Sequence, residues 1–125
     1  MNTYIASIVT GAIFILVGVL GFVPNPLLAP DGLFAVNSAH NMFHVITGAI
    51  FLLGAYRCAD QADILFKAIG SAYVAVTILG FLTSGNMLLG VIHINQADKW
   101  LHLALALGIL GLGYVLPNRR PAVSH

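Results

Sequence analysis

The chain has 125 residues, of which 59% are hydrophobic and 7% charged, with a formal net charge of +1 and a mean hydropathy of +0.96. A soluble domain carries about a quarter of its residues as Asp, Glu, Lys and Arg, so five basic and four acidic side chains cannot cover a water-facing surface. That excludes an ordinary soluble enzyme, a disordered chain and a nucleic-acid binder, and the single cysteine, Cys58, excludes an internal disulfide framework or a Cys-rich metal site.

What remains is an integral membrane protein, and four stretches are long enough to cross a bilayer as helices of roughly 20 mostly apolar residues. The first runs from Tyr4 to Val23 without a charge and is halted by Pro24, Asn25, Pro26 and Pro30. It lacks the basic leader of a signal peptide and is read as retained. Asp31 to Val36 is expected to lie along the outer face as a short interfacial or re-entrant piece. The second span runs from Ser38 to Tyr56 and ends at Arg57. The third runs from Ile64 to Leu82, with Lys67 near its start able to snorkel. Thr83 to Asn86 reads as a helix-ending turn, and Leu88 to Ile94 as a second interfacial piece. The fourth span runs from Gln96 to Leu116, closed by Pro117. Open sheet edges are forbidden in lipid, which makes helices the natural reading.

Arg57, Lys67, Arg119 and Arg120 fall on one side and Lys99 on the other. The positive-inside rule then puts both termini in the cytoplasm of a bacterial inner membrane, or of a thylakoid if the source is a phototroph. Tyr4, Tyr56, Trp100 and Tyr114 sit where interfacial anchors belong. The expected architecture is all-α: one four-helix membrane domain over residues 1–125, with a cytoplasmic tail at 117–125.

The chain also aligns with itself. Gly11 to Phe22 matches Gly70 to Phe81, pairing Phe14 with Tyr73; Gly32 to His40 matches Gly90 to Asp98, and the register continues through His44 with His102 and Tyr56 with Tyr114. Two tandem two-helix repeats, about 4–57 and 64–116, are therefore expected. Each contains two spans, so their pseudo-twofold axis should lie along the membrane normal.

The repeats carry their polar residues at equivalent places: Asn37, His40, Asn41 and His44 at the start of the second helix, Asn95, Asp98 and His102 at the start of the fourth. Residues four apart share a helix face, so His40 ranks with His44 and Asp98 with His102. If the faces meet, His40, His44, Asp98 and His102 suit a transition metal such as Zn, Cu or Fe. Alternatively His44 and His102 are ligands to haem or to chlorophyll-type magnesium in a bundle core. Against both stands a structural reading in which Asn37 and Asn95 are helix caps, Asp98 completes a capping box and the histidines hydrogen-bond between helices. His44 and His102 lie nearly two turns into a span, where a polar group is costly and commonly functional.

Elsewhere the bland readings lead. His93 is an interfacial histidine and an optional extra ligand, and His125 is a terminal residue. Met42 and Met87 are packing groups, and Asp60, Asp63 and Lys67 are solvated loop charge. Gly11, Gly18, Gly21, Gly48, Gly54, Gly108 and Gly111 are expected to allow close helix approach. No catalytic triad, phosphate loop or dinucleotide fingerprint is present at usable spacing.

Gly18 to Pro24, Gly32 to Gly48 with its Val-Asn-x-x-His-Asn-x-x-His pattern, and Asn95 to His102 together resemble the small bacterial membrane proteins grouped as domain of unknown function 4383. The resemblance covers roughly Gly11 to Gly113. It implies a four-helix membrane protein and supports Asn37, His40, Asn41, His44, Asn95, Asp98 and His102 as polar positions of the family, without assigning them chemistry. The leading functional expectation is a non-enzymatic accessory or cofactor-holding subunit, packed against lipid and against larger membrane subunits or copies of itself. The alternatives are a membrane metalloenzyme or redox protein using the same side chains, and a purely structural bundle.

Overall fold

Three of the four helices begin on an asparagine whose side chain accepts a backbone N–H of the first turn: Asn2 from Ile5, Asn37 from His40 and Asn95 from Asp98. This satisfies a donor that a helix start otherwise leaves without a partner. The computed structural model describes residues 1–119, and in it α1 spans Thr3–Leu20, α2 Ser38–Arg57, α3 Ala62–Leu82 and α4 Gln96–Val115. A single 3-10 turn, Ala59–Gln61, joins α2 to α3. Arg120 and His125 lie outside the described residues.

The expected first span, Tyr4 to Val23, runs three residues past the end of α1 at Leu20. Gly21 caps α1, and Asn25 takes over the chain beyond it: its Nδ2 donates to the carbonyls of Leu20, Val23 and Leu28, while its Oδ1 accepts from Leu27 and Leu28. The prolines forbid more helix, but the asparagine shapes the turn.

The segments expected as interfacial pieces form short strand pairs. β1 (Leu28–Ala29) lies parallel to β2 (Phe34–Ala35), and β3 (Met87–Leu88) antiparallel to β4 (Ile92–His93). The second pair turns through Leu89 (φ 53°) and Gly90 (φ 72°), two successive left-handed residues, a conformation whose twist suits a tight hairpin.

α1 packs along α2 and α3 along α4, while the two hairpins touch each other sparingly through their helices. Close approach within a hairpin depends on glycine. A Cβ at Gly48 would lie 2.5 Å from Gly11 O, and one at Gly70 would lie 2.8 Å from Leu110 N. Gly18, Gly21 and Gly54 are similarly tight, as expected. Gly108 and Gly111 are not: they face open space, and Gly70 and Gly113 are the glycines that let α3 and α4 meet. Phe14, Phe51, Phe66 and Ile109 fill the centre.

Two stretches, Thr3–Leu20 and Ala59–Leu82, are long and apolar enough to cross a membrane. α2 and α4, expected as further spans, carry their polar residues in the first two turns. Large apolar side chains cover much of the outside, and several polar ones lie inside beside the aromatic core. Leu16, Leu53 and Leu107 are each more than half exposed, whereas Thr3 and Ser7 are fully buried and Asp98 nearly so. Ser7 Oγ donates to Phe51 O at 2.7 Å.

The start of α1 meets the segment that follows α4. Thr3 N donates to Pro117 O (2.9 Å) and Thr3 Oγ1 to Asn118 Oδ1 (2.6 Å). Asn118 Nδ2 donates to Asp63, whose other oxygen takes the Lys67 ammonium at 3.0 Å. Asp63 and Lys67, expected as solvated loop charge, thus tie the C-terminal segment to the starts of α1 and α3.

Candidate metal centre

The first two turns of α2 and α4 open beside β2 and β4, at the end of the bundle away from the chain termini. Each strand pair leans on the other hairpin: β4 touches α2 and β2 touches α4. Asn37 Nδ2 donates to Val91 O (2.8 Å), and Asn95 Nδ2 donates to Leu33 O (2.9 Å). The same two asparagines cap α2 and α4 with their side-chain oxygens, so each orients a helix start and fastens it across the hairpins.

His40, His44 and His102 come together inside this end, all buried, with one donor nitrogen from each lying within 4.8 Å of the others. Ring centroids are 4.7 Å apart for His40 and His44, 5.3 Å for His40 and His102, and 6.4 Å for His44 and His102. α2 supplies two imidazoles one turn apart and α4 supplies the third from the equivalent position.

A hydrogen bond fixes the state of His40. Its Nδ1 lies 2.7 Å from the carbonyl oxygen of His93, which can only accept, so Nδ1 carries the proton. Nε2 is then left with its lone pair, and it is a buried atom with no hydrogen-bond partner. An imidazole held by one ring N–H to a carbonyl, with the other nitrogen bare, is how metal-binding histidines are oriented. His44 Nδ1 is likewise buried and without a partner.

Asp98 stands apart from the three. Its carboxylate accepts from Asn95 N (2.9 Å) while its own N–H donates to Asn95 Oδ1 (2.9 Å). Such a reciprocal capping box explains a buried acid at a helix start. Of the four residues expected to share an ion, the structure brings the three imidazoles together, while Asp98 caps its own helix start. Asn41 packs against Gly21 on the far side of α2, with Oδ1 buried and without a partner. His93 serves through its backbone, and its ring Nε2 donates to Pro30 O at 3.1 Å.

The haem expectation does not fit. Bis-axial ligation needs a flat macrocycle between His44 and His102, and the His40 ring lies within 5.3 Å of both.

Sequence reading missed Tyr73 and Thr47. Thr47 Oγ1 donates to Phe43 O (2.7 Å), so the Tyr73 hydroxyl, 3.0 Å away, donates to Thr47. Tyr73 stands edge-on to His102 at 6.3 Å as Phe14 stands edge-on to His44 at 5.9 Å. The signal was present in the self-alignment, which pairs Phe14 with Tyr73 and His44 with His102.

Over residues 4–115 the chain matches the family described as Domain of unknown function (DUF4383). The chain belongs to this family. No curated protein and no solved structure matches it. The DUF4383 resemblance rested on the segments that carry Asn37, His40, His44, Asn95 and His102, and these are the residues that cap the two helices and gather at their buried starts.

Proposed function

We propose that this DUF4383 chain is a four-span membrane protein, built from two copies of one hairpin, that holds a transition metal ion on His40, His44 and His102. The carrying observation is the convergence of three buried imidazoles with donor atoms within 4.8 Å, one of them locked by a carbonyl in the tautomer that leaves Nε2 bare. Metal–imidazole bonds of about 2.0–2.1 Å place tetrahedral ligand atoms about 3.3 Å apart, so the rings need turn inward by little more than 1 Å. Imidazole donors suit Zn, Cu or Fe.

Three reciprocal contacts support the duplication. Asn37 to Val91 O mirrors Asn95 to Leu33 O, Phe14 on His44 mirrors Tyr73 on His102, and Gly11 against Leu52 mirrors Gly70 against Leu110. Each second contact is the first translated by the alignment of the halves. Membrane placement is supported by the outer surface, where large apolar side chains are exposed along the helices while Thr3, Ser7 and Asp98 lie inside. Arg57, Lys67 and Arg119 gather at the end where the termini meet, which favours a cytoplasmic location for that end in a bacterial inner membrane. The outward helix faces, apolar on every side, suit lipid, larger membrane subunits or further copies of the chain.

The protein acts here as a holding module rather than a catalyst. Metal analysis and an absorption spectrum of the detergent-purified protein test the reading: about one equivalent of Zn, Cu or Fe is expected, without a Soret or red pigment band. Metal-free protein after reloading with each of the three ions would leave only the structural bundle.

A further inference from the structure

A cavity of about 340 Å³ lies between α2 and α3, and all three histidines are among its lining residues. Its size falls in the range of about 300–1,000 Å³ in which small molecules are bound. The walls are aliphatic and aromatic, and several wall residues, including Phe43, Ile46 and Leu79, are also on the outer surface of the bundle. The cleft therefore opens sideways, toward the hydrocarbon under the placement proposed above. A molecule dissolved in the bilayer enters it without crossing water.

The polar groups at the closed end define what the occupant must offer. Thr47 and Tyr73 satisfy each other and Phe43 O. His40 and His44 both line the cavity, are more than nine-tenths buried, and keep His40 Nε2 and His44 Nδ1 without a partner. Such atoms left bare in an apolar setting keep the full cost of losing water, which a matching ligand group would recover. His40 Nε2, carrying no proton, accepts a hydrogen bond and cannot donate one. A carbonyl head has nothing to give it. A carboxylate head adds a buried charge that no lysine or arginine among the cavity walls offsets. A hydroxyl head donates to Nε2, and its oxygen lone pair equally suits the open position of an ion held by the three imidazoles.

We propose that the α2–α3 cleft binds a lipophilic molecule with an uncharged hydroxyl head, its tail along the apolar walls and its head at His40 and His44. The inference rests on the membrane placement above, and the hydroxyl fits the histidine end with or without the ion. Aliphatic alcohols and phenolic lipids such as quinols share this chemistry.

The test uses full-length, 15N-histidine-labelled protein in phospholipid nanodiscs, prepared metal-free and metal-loaded. It is titrated with 1-dodecanol, decylhydroquinone, dodecane and dodecanoate. Saturable shifts of the His40 Nε2 resonance in metal-free protein are expected for one or both hydroxyl compounds, and comparing the two identifies the aliphatic or the phenolic source. Ala72→Trp and Leu79→Trp fill the cleft from exposed wall positions and should weaken binding at least about tenfold, or about 1.4 kcal/mol, with metal content unchanged. Equal response to dodecane, response to dodecanoate alone, response to neither hydroxyl compound, or undiminished binding in both tryptophan variants would overturn the proposal. Hydroxyl binding by protein that takes up no metal supports the cleft and sinks only the metal reading.

Discussion

His40 gives its Nδ1 proton to the backbone carbonyl of His93, 2.7 Å away on the other hairpin. A helix-borne ring is thus oriented by a strand of the opposite half, and its second nitrogen is left bare. In metal-free protein, 15N spectra should show His40 protonated at Nδ1 and unprotonated at Nε2. The opposite tautomer would break the link between the loop and the metal site.

On the proposed metal reading, removing one of the three imidazoles should strip the ion. His44→Ala and His102→Ala are each expected to lower metal affinity by at least about tenfold, the least effect seen when groups merely supporting a ligand are lost. His125→Ala should leave it unchanged. Isothermal titration with Zn²⁺ on the purified variants measures this, and full affinity in both of the first two would remove the ligand assignment.

Asp98 separates capping from ligation. Its carboxylate closes the capping box with Asn95, so Asp98→Ala should lower stability by about 1 kcal/mol while retaining a full equivalent of metal. Denaturant titration and metal analysis on the same sample decide it. Loss of metal at unchanged stability would return Asp98 to the ligand set.

Asn37 and Asn95 should behave alike. Each caps a helix and reaches a carbonyl of the other hairpin, so Asn37→Ala and Asn95→Ala are each expected to cost about 1–2 kcal/mol. Thermal unfolding reads the effect. A marked asymmetry between the two would argue against equivalent halves.

The glycines divide into two groups with opposite outcomes. Gly48→Leu pushes a side chain into Gly11 O, only 2.5 Å from the first added carbon, and should cost about 1–3 kcal/mol as overpacking. Gly108→Ala and Gly111→Ala meet no atom within 4 Å and should be neutral or stabilising by up to about 1 kcal/mol through helix propensity. Chemical denaturation of the three variants discriminates them.

Much of this was legible in one dimension. Apolar runs of span length, the asparagines ahead of α2 and α4, and the period that puts His44 opposite His102 in the alignment are properties of spacing and composition, which helix geometry converts directly into position. The end of α1 was not, because Asn25 acts through five backbone groups whose placement depends on the folded turn. Nor was it legible which glycines meet a neighbour, since Gly70 and Gly108 differ only in what stands opposite them.

The sequence by itself determined that four helical segments would form and that two of them would carry histidines near their starts, because burial periodicity and capping are local. Only the tertiary structure decided that His40, rather than Asp98, joins His44 and His102. Both fall at the same position when the chain is aligned with itself, but the acid is held by its own helix cap while the imidazole ring is held by a carbonyl from the other hairpin. That choice depends on a contact between residues far apart in the chain, which no local pattern contains.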